Sequence, residues 1–207
     1  MKLIGQLDSP FVRRAAVSLI HYGFCPEFET LSVFSDFEAI LQMNPLGRVP
    51  FLLLDDGSYL FDSQSIVDFG ESQAPVGRSL VPAMATDRCK VLQVESVAVG
   101  LMEKAVALRL ETVHRADKLR DIPWIERIER QITSGLQWLE QVPASPWLHE
   151  VGFTRADLST AIAYTNLRKK FPDLVPLGRY PSLEAHCKCA ERLQPFAAAP
   201  FPGEASA

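Results

Sequence analysis

Two apolar runs, Val49 to Leu54 and Ser58 to Phe61, flank Asp55-Asp56-Gly57. An Asp-Gly pair between such runs marks a hairpin, with Asp56-Gly57 expected to supply the positive-φ positions of its turn. What precedes the hairpin constrains the fold further. Leu3, Ile4 and Leu7 mark a first strand, and Phe11, Ala15, Leu19 and Tyr22 recur at helical spacing from Pro10 until Gly23, suited to C′. Pro26 to Leu31 reads as a second strand, Asp36 to Met43 as a short helix stopped by Asn44-Pro45, and Ser63 to Glu71 as a helix after the hairpin. A helical crossover makes the first two strands parallel, and the hairpin adds an antiparallel pair to the same sheet.

This order, βαβαββα, is the thioredoxin-like one. The stretch from Ala74 to Pro82 is rich in chain breakers and reads as a connection between domains. Strand signals stop beyond it. Thr86 to Arg115 and Pro123 to Val142 sustain helical spacing, Thr154 to Lys170 and Ser182 to Leu193 add two more helices, and Pro195 to Ala207 is expected to be extended or frayed. The expected architecture is α/β plus all-α: a thioredoxin-like domain over residues 1–75, a linker over 76–84, and a helical bundle over 85–207.

Composition narrows the functions open to such a chain. Lys and Arg total 21 against 25 Asp and Glu, which gives no support to nucleic-acid binding; Arg168-Lys169-Lys170 reads as a solvated helix end. No segment approaches the roughly 20 apolar residues that cross a bilayer, and no signal peptide is evident. The four cysteines, Cys25, Cys89, Cys187 and Cys189, lack the density of a secreted scaffold, so the expected location is cytoplasmic. His186-Cys187-Lys188-Cys189 has the look of a metal fragment. On a helix, however, positions 187 and 189 point about 200° apart, and no second ligand pair accompanies them, so no metal is expected.

Ser9-Pro10 is suited to open a helix, with the serine as N-cap and the proline at N1, where its missing N–H costs nothing. The same geometry also favours an anion in front of the helix. A dithiol oxidoreductase would need C-x-x-C here; this chain has Ser9 and Val12, so disulfide exchange is not expected. Thr154-Arg155-Ala156-Asp157 has the pattern of a capping box with Asp in place of Glu, and no chemistry is assigned to it.

Three segments in register carry a family resemblance. SPFVRR after the first strand, NPLGRVP before the third and FDSQSIVDF after the hairpin resemble the glutathione-binding half of a cytosolic glutathione S-transferase. The helical remainder resembles that family's second domain, and the first helix resembles a bacterial group that begins Ser-Pro-Phe-Val-Arg. The resemblance implies glutathione as co-substrate. Ser9 would donate a hydrogen bond to its thiolate, and a cis Pro50 would turn the backbone of Val49 outward to pair with the cysteinyl part. Ser63 and the N–H groups that follow it would hold the γ-glutamyl carboxylate, with Asp62 near the ammonium and Arg48 within reach of the glycyl carboxylate. Phe11 belongs to the same set and to the wall of an acceptor pocket that includes the helix around Val97 to Val113.

The leading expectation is therefore a transferase that delivers the glutathione sulfur to a small electrophile held against the helical domain, as a homodimer in detoxification. Glutathione-dependent peroxidase, dehalogenase and isomerase activities use the same thiol. A non-catalytic binding or scaffold protein on this fold is the alternative.

Overall fold

The computed structural model describes residues 1–203. Its contacts divide the chain into two units, Met1–Leu80 together with the segment from Arg192 onward, and Val81–Glu191.

The first unit holds β1 (Lys2–Ile4), α1 (Pro10–His21), β2 (Glu27–Glu29), α2 (Phe37–Met43), β3 (Phe51–Leu53), β4 (Tyr59–Phe61) and α3 (Ser63–Ser72). The sheet runs β2-β1-β3-β4, with β1 parallel to β2 and antiparallel to β3. Strand alternation sorts the core. Ile4 and Phe51 point to one face, where they pack with Ile40 of α2, while their neighbours Leu3 and Leu52 are buried on the other. Helices α1 and α3 pack on each other and against the sheet.

The hairpin turn differs from the sequence expectation in one detail. Gly57 alone takes positive φ, at 84°. Asp56 stays in the ordinary region because its carboxylate is tied forward, accepting from the N–H of Ser58 at 2.9 Å and from its hydroxyl at 2.6 Å. With Leu54 N–H bonded to Ser58 O at 2.9 Å, this is a three-residue loop rather than a two-residue one.

The chain end also departs from expectation. Instead of fraying, it forms α8 (Gln194–Ala198), with Phe196, Ala199 and Phe201 buried. Arg13, only 1% exposed inside α1, supplies the reason: its Nε donates to Ala199 O at 2.9 Å and its guanidinium lies 5.5 Å from the centre of the Phe196 ring. An arginine buried at that position needs an acceptor and a flat partner, and the tail provides both. The helical domain expected over 85–207 is thus corrected at its end, where the segment from Arg192 joins the first unit. Residues 204–207 of the expected frayed tail lie outside the described residues.

The second unit holds α4 (Ala85–Arg109), α5 (Ile122–Glu140), α6 (Arg155–Lys170) and α7 (Pro181–Ala190). The expected helix to Arg115 ends earlier as an α-helix. Leu110–His114 is wound more loosely, with Arg115 N–H reaching back five residues to Leu110 O at 2.9 Å. The expected helix to Leu193 likewise stops at Ala190. Helix α6 is the core of the unit, buried from Arg155 through Leu167 and packed on α4 and α7. Its capping box is present: Asp157 Oδ2 accepts from Thr154 N–H and from the Thr154 hydroxyl, each at 2.7 Å. No helix among the described residues is long and apolar enough to cross a membrane.

Candidate functional site

Ser9 is half-buried and caps α1 from extended backbone at φ −75° and ψ 125°, with Pro10 following in the first turn. Its carbonyl accepts from Arg13 N–H at 3.0 Å, whereas its Oγ lies 3.5 Å from Val12 N, a long contact. The N–H of Phe11, whose side chain is half-buried, has no partner among the described residues. The start of α1 therefore presents an N–H group and a hydroxyl proton without acceptors among the described residues.

The Val49–Pro50 peptide bond is cis, as the resemblance implies. Val49 is half-buried against the Ile4–Ile40–Phe51 cluster, yet neither its N–H nor its C=O makes a hydrogen bond among the described residues. Gly5, at φ 134°, brings this segment to α1. A Cβ at Gly5 would lie 2.6 Å from Val12 Cγ2 and 2.9 Å from Val49 Cβ, so only glycine admits both neighbours.

The third motif is arranged differently from its sequence reading. Asp62, not Ser63, caps α3; it takes positive φ (60°), and its Oδ1 accepts from Gln64 N–H at 2.8 Å and Ser65 N–H at 2.9 Å. The N–H groups after Ser63 are thereby closed. The N–H of Ser63 itself and Oδ2 of Asp62 remain without partners among the described residues. Ser63 is 5% exposed and its Oγ accepts from Arg14 Nη1 at 3.1 Å. Arg14 Nη2 donates to Gln64 Oε1 at 2.9 Å.

Helix α1 thus gathers the three motifs, meeting Val49 across Gly5 and Ser63 through Arg14. Arg48 is not tied to them: its backbone oxygen accepts from Asn44 Nδ2 at 2.8 Å, and its exposed guanidinium has no partner among the described residues. Arg14 and Gln64 escaped the sequence reading. The one signal was an arginine pair in an otherwise apolar stretch, Val12-Arg13-Arg14-Ala15-Ala16-Val17, where a buried arginine has to be anchored.

Elsewhere, two surface pockets of about 440 and 370 Å³ lie in the helical unit, and none of these site residues lines either. His186 faces Pro146 O at 3.0 Å and Asp157 O at 3.3 Å, and Cys187 Sγ donates to Ala161 O at 3.6 Å. These contacts hold α7 in the interior. No cluster of three potential metal ligands occurs among the described residues.

Residues 3–82 match the glutathione S-transferase N-terminal domain, and solved glutathione transferases superpose on nearly the whole chain. Residues 3–82 form a glutathione S-transferase N-terminal domain, and the chain as a whole is similar to solved glutathione transferases. A glutathione S-transferase from Methylobacillus flagellatus KT, solved with GSH bound, is 26% identical and matches with a TM-score of 0.87 over 96% of this chain and 98% of that one. A glutathione transferase family member from Pseudomonas fluorescens Pf-5, solved with bound glutathione, is 29% identical with a TM-score of 0.83 over 97% of this chain and 100% of that one. The uncharacterized GST-like protein YibF of Escherichia coli (strain K12) is 28% identical over 174 residues, which cover 83% of this chain and 85% of YibF.

Proposed function

We propose that this chain is a glutathione S-transferase family member that binds glutathione along the start of α1, the Val49 edge and the start of α3, and catalyses its transfer to a small electrophile. The unpaired backbone of Val49 carries the reading. Its half-buried N–H and C=O, without partners among the described residues and beside a sheet, suit an extended peptide as their complement, by strand addition. Ser63 N–H and hydroxyl then meet the γ-glutamyl carboxylate, Asp62 Oδ2 the ammonium, and Arg48 the glycyl carboxylate. Pro50 keeps the Val49 edge turned outward, and Phe11 closes the wall beside the sulfur.

Bound glutathione supplies a thiol whose ordinary pKa is about 8.5, lowered when a donor and a helix start face it. Ser9 donates its hydroxyl proton to that sulfur, and the free N–H of Phe11 adds a second dipole of the same sense. Ser9 needs no general base in this role, since it never loses its proton. The homodimer belongs to the same reading, and light scattering at micromolar concentration checks it: a monomeric mass removes it.

Calorimetric titration with glutathione tests the binding half. Saturable one-to-one binding is expected, and its absence leaves a scaffold protein. Ser9→Ala tests the chemical half. The variant is expected to fold and bind glutathione but to conjugate an aromatic halide roughly 10- to 100-fold more slowly, the worth of one hydrogen bond to a charged sulfur. Unchanged turnover rejects the role of Ser9.

A further inference from the structure

Ser63 and Arg14 are both buried, at 5% and 1% exposure, and joined by the 3.1 Å bond from Arg14 Nη1 to Ser63 Oγ. The direction of that bond is not adjustable. A guanidinium has N–H donors and no acceptor, so the Ser63 oxygen must receive and its own proton must point elsewhere. Among the described residues nothing accepts that proton, and nothing pairs with the Ser63 N–H. Had a carboxylate stood in place of Arg14, the hydroxyl would donate inward and show a lone pair to the ligand, favouring an ammonium. Arginine reverses this polarity.

We propose that Arg14 is a positioning residue that makes this corner selective for the α-carboxylate of the γ-glutamyl group. It does so by forcing Ser63 to donate outward and by anchoring the first turn of α3 through Gln64 Oε1 at 2.9 Å. The inference rests on the glutathione reading given above, and Arg14 need not touch the ligand.

The test compares two peptides by calorimetry, glutathione and 4-aminobutyryl-cysteinylglycine, which is the same molecule without the α-carboxylate. The unsubstituted chain is expected to prefer glutathione by about 10- to 100-fold, the range for a hydrogen-bonded charge. Arg14→Met is expected to bind the two peptides within about threefold of each other, by weakening glutathione while leaving the analogue unchanged. Ser63→Ala, which removes only the oxygen through which Arg14 acts, should show the same loss of preference and guards against an Arg14→Met chain that does not fold. Full preference retained in either variant overturns the proposal, as does an equal loss for both peptides. If the unsubstituted chain binds no glutathione, the functional reading falls and takes this inference with it; equal losses in a chain that binds remove this inference alone.

Discussion

The starts of α1 and α6 use the same kind of residue for opposite ends. At α6, Thr154 caps the helix and both its N–H and its hydroxyl finish on one buried carboxylate. Asp157, fully buried, accepts from Thr154 N–H and hydroxyl through Oδ2, and from Leu148 N–H at 2.7 Å through Oδ1. At α1, Ser9 caps with a bond of 3.5 Å, while its proton and the Phe11 N–H have no acceptor among the described residues. Helix α3 is intermediate, closed by Asp62 at Gln64 and Ser65 but open at Ser63. Every helix start leaves N–H groups over; what sets α1 apart is that the Ser9 hydroxyl, unlike that of Thr154, keeps its proton available. Whether the capping hydroxyl is spent on protein, more than which residue carries it, separates the start of α1 from that of α6.

The contrast is broken most directly at its closed end. Asp157→Ala strands three donors in the interior of the helical unit, and a loss of about 3 kcal/mol or more is expected, read as a fall in the denaturant midpoint. A loss below about 1 kcal/mol would mean that α6 is not the tightly closed element its bonds describe. Next in size comes the stability of Ser9→Ala, expected to fall by no more than about 1 kcal/mol because so long a bond contributes little. Should Ser9→Ala destabilise the chain as much as Asp157→Ala, the serine is a structural cap and the open reading of α1 fails.

Most of this architecture could be read from the residues, and the failures share a cause. The strands, the hairpin and α1 to α3 follow from local periodicity, so Leu3, Phe11, Leu19 and Gly57 announced them. The capping box at Thr154 was legible for the same reason, being confined to four adjacent residues. What the sequence could not carry was anything decided by a distant partner. Phe196 looked like part of a fraying tail because its partner, Arg13, lies far back in the chain. Arg14 received no role because its partners, Ser63 and Gln64, lie about fifty residues further on. Asp62, expected near the ammonium, instead caps α3 and closes the N–H groups after Ser63, because a positive φ at a non-glycine residue leaves no mark on composition. Ser9 and Val49 were singled out through the family resemblance of their motifs; that the Ser9 proton and the Val49 backbone lack partners among the described residues is a structural fact.

The last test sharpens the contrast within a single helix, since α1 is open at its first turn and closed at its last. There Gly23 N–H bonds Ile20 O at 3.0 Å and Phe24 N–H bonds Leu19 O at 2.9 Å. His21 and Arg78 are paired twice, His21 Nε2 lying 3.1 Å from Arg78 O and Arg78 Nη1 donating to His21 O at 3.0 Å. Burial pushes the His21 imidazole below its ordinary value, with the Arg78 charge acting in the same sense, against the Arg78 carbonyl and the Glu71 charge, which raise it. The folded chain therefore holds this proton less readily than the unfolded one. The His21 contribution is complete above the unfolded value of about 6.5 and is lost as pH falls through that value towards the folded one. Denaturant midpoints at neutral pH and in mild acid should accordingly decline less for His21→Gln than for the unsubstituted chain, the smallest of these effects. The site lies at the other end of the helix, so glutathione affinity in the variant should follow the parent across the same range. A variant whose binding, rather than folding, changes with His21 would show that the two ends of α1 are coupled and that its closed end belongs to the site.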